Sequence, residues 1–312
     1  MNQLTKHILM VRPANFGYNA ETAVNNAFQS DEVIRDTEAL RQAAIHEFDN
    51  MVTLLRSKGI DVMVVQDTES PVKPDAVFPN NWISFHENGA LITYPMFAQN
   101  RRIERREDII RQVSQQFEVK NRYTFDFYED EQEPLFLEGT GSMILDRPNK
   151  IVYACLSQRT SPVLLDKFNV LMGMERCIFK ATDRNGHEIY HTNVMMALGE
   201  DFVVICMDSV AEEQRKDLKQ SFERTGKEII EINYDQMEAF AGNMLEVYGT
   251  NNTRYLCMSQ SAYNSLNDDQ KYRLGSKTQL LPIPIPQIEK FGGGSVRCMM
   301  AEIFLPHKHE SK

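Results

Sequence analysis

The sequence predicts an α/β fold built by repeating one small unit. Short apolar segments come in pairs split by turn-forming residues, and the stretches between pairs carry apolar residues at three- and four-residue steps. The start-to-start spacing stays at about 50–60 residues, in the upper part of the range for structural repeats. Glycine also stands just past four of the helical stretches, where a left-handed residue commonly ends a helix.

In chain order, a lone strand is expected around His7 to Val11. Thr37–Ser57, reading TEALRQAAIHEFDNMVTLLRS, predicts a helix closed by Gly59. The first β pair runs from Val77 to Pro95 and breaks at Glu87-Asn88-Gly89. A helix over Ile103–Phe117 follows, and then the acidic stretch Tyr128–Glu133, read as a solvated loop. The second pair, Leu135–Ser157, breaks at Asp146–Lys150 and leads to a helix over Pro162–Met172 before Gly173. The third, Ile189–Asp208, breaks at Gly199–Asp201 and precedes a helix over Ala211–Arg224 before Gly226. The fourth, Asn243–Ser259, breaks at Thr250–Asn252 and precedes a helix over Ser261–Leu274 before Gly275. The final stretch, Gly293–Pro306, holds one clear strand, so its partner is expected to be the N-terminal one. No linker or composition shift divides the chain, and modules of about 60 residues are too small to bury a core alone. One domain spanning residues 1–312 is therefore expected.

Composition excludes several functions. With 44 acidic and 34 basic side chains the formal charge is −10, the opposite of a nucleic-acid footprint and unsuited to anionic membranes. No run nears the ~18 apolar residues of a membrane span, and the N-terminus does not read as a secretory signal. The five cysteines are scattered, without a Cys-x-x-Cys pair, so neither a disulfide frame nor a zinc knuckle is suggested. A cytoplasmic protein with free thiols is the simplest expectation.

Chemistry is expected where polar residues break the apolar logic. Asp75 precedes Val-Phe-Pro, and Asn80-Asn81 precede Trp82. Glu138 interrupts an apolar segment read as strand and is followed by Gly-Thr-Gly. His191 and Asn193 open an apolar run, and Gly292–Ser295 leads to Cys298. A thiol, an imidazole and a carboxylate form a nucleophilic set, in which the base activates the thiol and the acid orients the base. Cys155, Cys177, Cys206 and Cys257 sit in apolar context and read as packing. A rival motif, His187-Glu-Ile-Tyr-His191, matches the zinc-peptidase pattern, but that chemistry needs a helix where Ile and Tyr favour strand.

Taken in order, these motifs resemble the amidinotransferase/arginine deiminase superfamily of guanidine-modifying enzymes, especially its dimethylargininase-like and citrulline-utilisation hydrolase branch. The resemblance rests on Asp75-Ala-Val-Phe with Asn80-Asn81, Leu137-Glu138-Gly139, Ser157-Gln-Arg159-Thr160, His191-x-Asn193 and Gly293-Gly294-Ser-Val-Arg-Cys298. It implies a five-bladed α/β propeller (pentein) with pseudo-fivefold ββαβ repeats. It further implies Cys298 as nucleophile, His191 as acid and base, Glu138 as its positioning carboxylate and Asp75 as the group holding the substrate head. Arg159 would bind an α-carboxylate, and neither metal nor cofactor is called for. The implied partner is a small amino-acid substrate; nucleic acid and membrane are not expected, and the oligomeric state stays open. A hydrolase is expected, with an amidinotransferase using an acceptor amine as the alternative; a zinc peptidase and a noncatalytic member of the fold were the remaining readings.

Two departures bear on the substrate. Asn193 stands where relatives usually carry Asp, and Asn80-Asn81 where dimethylargininases tend to carry an acidic pair. A guanidinium has only donors, whereas a ureido group offers donors and an acceptor, as an amide does. Citrulline or a modified arginine is therefore expected over plain arginine. The segment Asn15–Asn19 is a candidate lid.

Overall fold

Local chemistry sets where each element starts and stops in the computed structural model, which describes residues 1–30 and 36–308. The chain opens with β1 (His7–Arg12), a single turn α1 (Ala20–Ala23), α2 (Thr37–Ser57) and β2 (Asp61–Gln66). The Asp36 side chain accepts from the Ala39 N–H at 2.9 Å to start α2. Leu40, Ala44, Phe48, Met51, Val52 and Leu55 bury one face of it, and Gly59 follows at φ +77°.

One pattern then recurs. β3 (Ile83–Phe85) and β4 (Ala90–Thr93) pair antiparallel, α3 (Gln99–Arg102) and α4 (Glu107–Gln116) cross over, and β5 (Asn121–Thr124) lies parallel to β4. A short helical turn α5 (Gly139–Ser142) precedes β6 (Ile144–Asp146), β7 (Ile151–Cys155), α6 (Pro162–Met172) and β8 (Glu175–Phe179), with the same pairings. The turn α7 (Thr192–Met195) precedes β9 (Met196–Leu198), β10 (Phe202–Ile205), α8 (Glu212–Arg224) and β11 (Glu228–Glu231). After α9 (Tyr234–Glu238) come β12 (Leu245–Tyr248), β13 (Arg254–Ser259), α10 (Gln260–Ser265), α11 (Asp268–Gly275) and β14 (Gln279–Ile283). Finally, α12 (Pro286–Gly292) leads to β15 (Ala301–Glu302), which pairs antiparallel with β1 while β1 runs parallel to β2.

The described residues thus form five three-stranded sheets of one topology, the fifth joining the two chain ends as the lone N-terminal strand suggested. First strands of successive units touch: β15 meets β3, β6 meets β9, and β9 meets β12. No described helix is long and apolar enough to cross a membrane.

Three expectations are corrected. The helix over Ile103–Phe117 starts later, as α4 at Glu107, because the backbone of Arg106 is extended; the separate turn α3 ends before the expected span, at Arg102. The helix over Ser261–Leu274 is two helices. Asn267 starts α11 with a reciprocal cap, its side chain accepting from the Gln270 N–H at 2.8 Å while Gln270 accepts from the Asn267 N–H at 2.9 Å. Gly173 and Gly226 are left-handed as expected, but Gly275 is the last residue of α11 and not a left-handed cap. In addition, the paired segments do not begin as strands. A single helical turn comes first in the first three and in the final stretch, and this displacement builds the site.

Candidate active site

The turn before each first strand carries the polar residue that broke the apolar pattern. Asn80 and Asn81 lie in the helical turn Pro79–Asn81. Glu138 immediately precedes α5, so it stands at a helix start and not inside a strand as expected. His191 immediately precedes α7, which contains Asn193. Cys298 lies in the turn Val296–Met299 before β15. The turn Pro79–Asn81 touches both α5 and the Cys298 turn, and α5 touches α7. Gly139 is required here: at φ +48° its missing Cβ would lie 2.3 Å from the Asn80 carbonyl oxygen.

The catalytic candidates meet at one point. Glu138 and His191 are buried and share a 2.7 Å hydrogen bond between Oε2 and Nε2. Glu138 Oε1 accepts from the Phe97 N–H at 2.9 Å, and the Arg159 Nη1 lies 3.5 Å from Oε2. Burial alone would raise the Glu138 carboxyl, but the Arg159 guanidinium and the His191 hydrogen bond outweigh it and hold the group well below the usual carboxylate range. Burial pushes His191 the other way, below its ordinary value despite Glu138. This lowering favours the neutral imidazole at neutral pH. An ionised Glu138 only accepts, so Nε2 carries the proton and Nδ1 is the basic atom. Asn193 Nδ2 lies 3.5 Å from Cys298 Sγ.

Asp75 faces the same chamber. Its Oδ2 accepts from Asn19 Nδ2 at 2.7 Å and from the Thr22 hydroxyl at 3.2 Å, while Oδ1 has no partner among the described residues. Burial raises its carboxyl, and Arg101 3.8 Å away opposes the shift. Asn81 Oδ1 accepts from Arg101 at 2.9 Å, which leaves its Nδ2 unpaired. Asn80 does not line the chamber. It is buried, and among the described residues neither side-chain atom is hydrogen-bonded.

The segment Asn19–Asn26 covers the site. Within the expected lid, Asn15–Asn19, Asn15 is tied to the Glu69 carbonyl at 2.8 Å and Asn19 donates to Asp75, while Thr22 and Asn26, just beyond it, line the chamber. Arg159 is buried beneath this cover. Its Nη2 donates to the Thr22 carbonyl at 2.9 Å, its Nε to Asn25 Oδ1 at 3.0 Å, and its guanidinium stacks 5.0 Å from the Tyr190 ring centre. The inner chamber, bounded by Asp75, Asn81, His191, Gly292–Gly294 and Cys298, has room of about 20 Å³, enough for one water. Outside it lies a cavity of about 420 Å³ lined by Asn25, Phe28, Gln158, Asp183 and Glu188. Arg159, Asn26 and Tyr190 line both spaces and separate them.

The zinc reading fails on geometry. His187 is 75% exposed beside Asp183 while His191 is buried against Glu138, and the intervening chain is not helical. Burial pushes the thiols of Cys155, Cys177, Cys206 and Cys257 up, as inert packing groups require. Sequence reasoning missed Asn243, in the turn before β12, whose Nδ2 lies 3.3 Å from Cys298 Sγ. Its position at the head of the fourth repeat was the available signal.

Residues 12–305 match the family described as N,N dimethylarginine dimethylhydrolase, eukaryotic. No curated protein sequence matches the chain. Among solved structures, the N-terminal domain of ArgZ covalently bound to a reaction intermediate superimposes with a TM-score of 0.74 at 15% identity, covering 96% of this chain and 99% of that one. Full-length ArgZ, an arginine dihydrolase of the ornithine-ammonia cycle in cyanobacteria, gives 0.75 at 14% identity; 96% of this chain is covered but only 41% of ArgZ. A dimethylarginine dimethylaminohydrolase adduct with S-methyl-L-thiocitrulline gives 0.65 at 16% identity, covering 96% and 99%. At these identities the likeness concerns the fold.

Proposed function

The chain belongs to the dimethylarginine dimethylhydrolase family, and from that premise we propose that it is a thiol-dependent hydrolase of the ureido or guanidino group of an arginine-related amino acid. One observation carries this reading: Cys298, Asp75 and His191, drawn from separate units, border one chamber, and His191 is hydrogen-bonded to Glu138 behind it. Neutral His191 takes the Cys298 proton as the sulfur attacks the central carbon of the head group. It returns that proton to the departing nitrogen, and the carbon stays bonded to sulfur. Water then gives a proton to His191, attacks the same carbon, and releases the thiol and product. Asp75 Oδ1 is an unused acceptor for the head-group N–H, and Arg159 suits the α-carboxylate, with the remainder of the amino acid in the outer cavity.

The flanks of the sulfur favour a neutral head group. Asn193 presents an amide where a carboxylate would match a guanidinium, so citrulline, or a modified arginine, is the preferred substrate. We also read the five sheets as blades of one closed α/β propeller forming a single domain. Free thiols at all five cysteines suit a reducing, cytoplasmic setting.

Turnover of citrulline, arginine and methylated arginines by the purified protein tests the reading, with mass spectrometry of Cys298 after brief exposure. Ornithine release from citrulline in water alone, together with a Cys298 adduct, is expected; dependence on an acceptor amine would make the protein a transferase. Arginine as clearly the best substrate would sink the ureido preference. Undiminished turnover by Cys298→Ala would sink the thiol mechanism.

A further inference from the structure

The fourth unit brings to the reacting sulfur a residue that no motif marks. Asn243 is buried, and its amide is held at both ends. Oδ1 accepts from the Arg297 N–H at 3.0 Å. Nδ2 donates to the Asn193 carbonyl at 2.8 Å and reaches Cys298 Sγ at 3.3 Å. Turning the amide over would set Oδ1 against the Asn193 carbonyl and Nδ2 against the Arg297 N–H, acceptor on acceptor and donor on donor. The backbone therefore fixes the orientation and keeps a donor on the sulfur.

Asn193 is held differently. Its Nδ2 and Oδ1 lie 3.5 and 3.9 Å from the same sulfur, and among the described residues its side chain has no other hydrogen-bond partner. Either end of that amide can face the sulfur, and either can turn to a ligand.

We propose that Asn243 is a catalytic residue: a fixed N–H donor that holds Cys298 Sγ in place and stabilises negative charge on it, leaving Asn193 free to turn toward the substrate. This rests on Cys298 being the nucleophile. The need is physical. Cys298 is only 4% exposed, so charge on its sulfur must be met by protein donors. His191 has its Nε2–H on Glu138 and brings no full positive charge to the empty site. An amide supplies the donor without adding a charge that a neutral substrate would leave unbalanced.

The test uses Asn243→Asp, Asn243→Ala and Asn243→Ser in the full chain. Two rates are read: iodoacetamide alkylation of Cys298 at neutral pH, from the mass of its peptide, and kcat with KM on the best substrate. The Asp and Ala variants are expected to lose roughly tenfold to a hundredfold in both alkylation and kcat, as for a lost hydrogen bond to a charged group. KM should stay within about threefold, since binding contacts are untouched. Asn243→Ser keeps an O–H donor and should recover part of the loss. Native alkylation and kcat in a folded Asp or Ala variant would overturn the assignment. A fall in kcat with unchanged alkylation would overturn it too, because packing alone predicts that pattern. Cys298→Ala separates the premise: if it turns over normally the nucleophile reading fails, whereas an inactive Cys298→Ala beside normal Asn243 variants defeats only this assignment. Should none of the three fold, the native protein decides. Iodoacetamide should alkylate Cys298 at least about tenfold faster than the buried Cys155 and Cys257, and equal rates would overturn the assignment.

Discussion

Burial acts in opposite senses on the acids and the base of this site. It raises Asp75, with Arg101 opposing; it would raise Glu138 too, but Arg159 and His191 reverse the outcome; and it lowers His191. His86, buried against Ser84 and Arg147, is lowered well below its ordinary value by the same desolvation, with the Arg147 charge adding to it. The linkage sign is unusual for histidine. Both imidazoles bind a proton more weakly folded than unfolded, so the unfolded chain takes up protons first as the pH falls below about 6.5. Their contribution is complete above that pH and is lost on acidification, by up to about 1.4 kcal/mol per pH unit for each ring. Glu138 acts in the same direction but at lower pH, and Asp75 acts against it. Melting temperatures recorded from pH 7 down to 5 should therefore fall for the native protein and fall less steeply for His191→Asn. Parallel curves would show that the His191 ring is not held neutral. These acids and this base were legible from sequence because an ionisable residue inside an apolar run is anomalous. Asn243 was not, because an amide ahead of a strand is ordinary turn chemistry, and only the fold shows that it reaches sulfur.

Single helical turns, and not strands, present this chemistry, and that distinction was hidden in the sequence. The run Leu135–Leu137 with Met143–Leu145 reads as apolar strand by composition, yet Gly139–Ser142 between them coils into α5. What the pattern cannot register is close approach between units. A Cβ on Gly141 would lie 2.4 Å from Asn81 Nδ2 and 2.9 Å from both Cε1 and Nδ1 of His191. Elements set by contacts within one repeat, such as α2 and α6, matched expectation to the residue. Elements set by contacts between repeats did not. Gly141→Ala tests this at the element scale. Its φ is not left-handed, so the backbone tolerates alanine, and the added methyl must displace the imidazole or the Asn81 amide. A fall in kcat of at least about tenfold is expected, since sub-ångström misplacement of a general base is costly, with a loss of about 1–3 kcal/mol in stability from overpacking. Native kcat in Gly141→Ala would mean that His191 can shift without consequence.

Pairing between the first and last strands ties together residues that are far apart in the chain. β1 takes β15 on one side and β2 on the other, Thr5 Oγ1 donates to the Ile303 carbonyl at 2.9 Å, and the rings of His7 and His307 lie 6.1 Å apart. The order in which the units are translated should therefore matter less than the completeness of the sheet that pairs the first and last strands. Two altered chains separate these properties. In the first, a short flexible linker joins residue 308 to residue 1, and new ends are opened at Gln132 in the exposed stretch between β5 and α5. Every sheet and every site residue survives this change. Cooperative melting and kcat/KM within about threefold of native are expected, because loops of this kind tolerate new termini. In the second, residues 1–12 are removed. That deletion strips β1 from the fifth sheet, uncovers the partners of the buried Ile8, Leu9 and Met10, and leaves β15, three residues after Cys298, without its paired strand. Three such side chains together contribute about 5–9 kcal/mol, comparable to the whole stability of a typical domain, so this chain should fail to melt cooperatively. An inactive but folded permutant would show that the site depends on a cut made far from it. A folded, active deletion would show that the fifth sheet does not close the ring, and that Cys298 is positioned by its own turn alone.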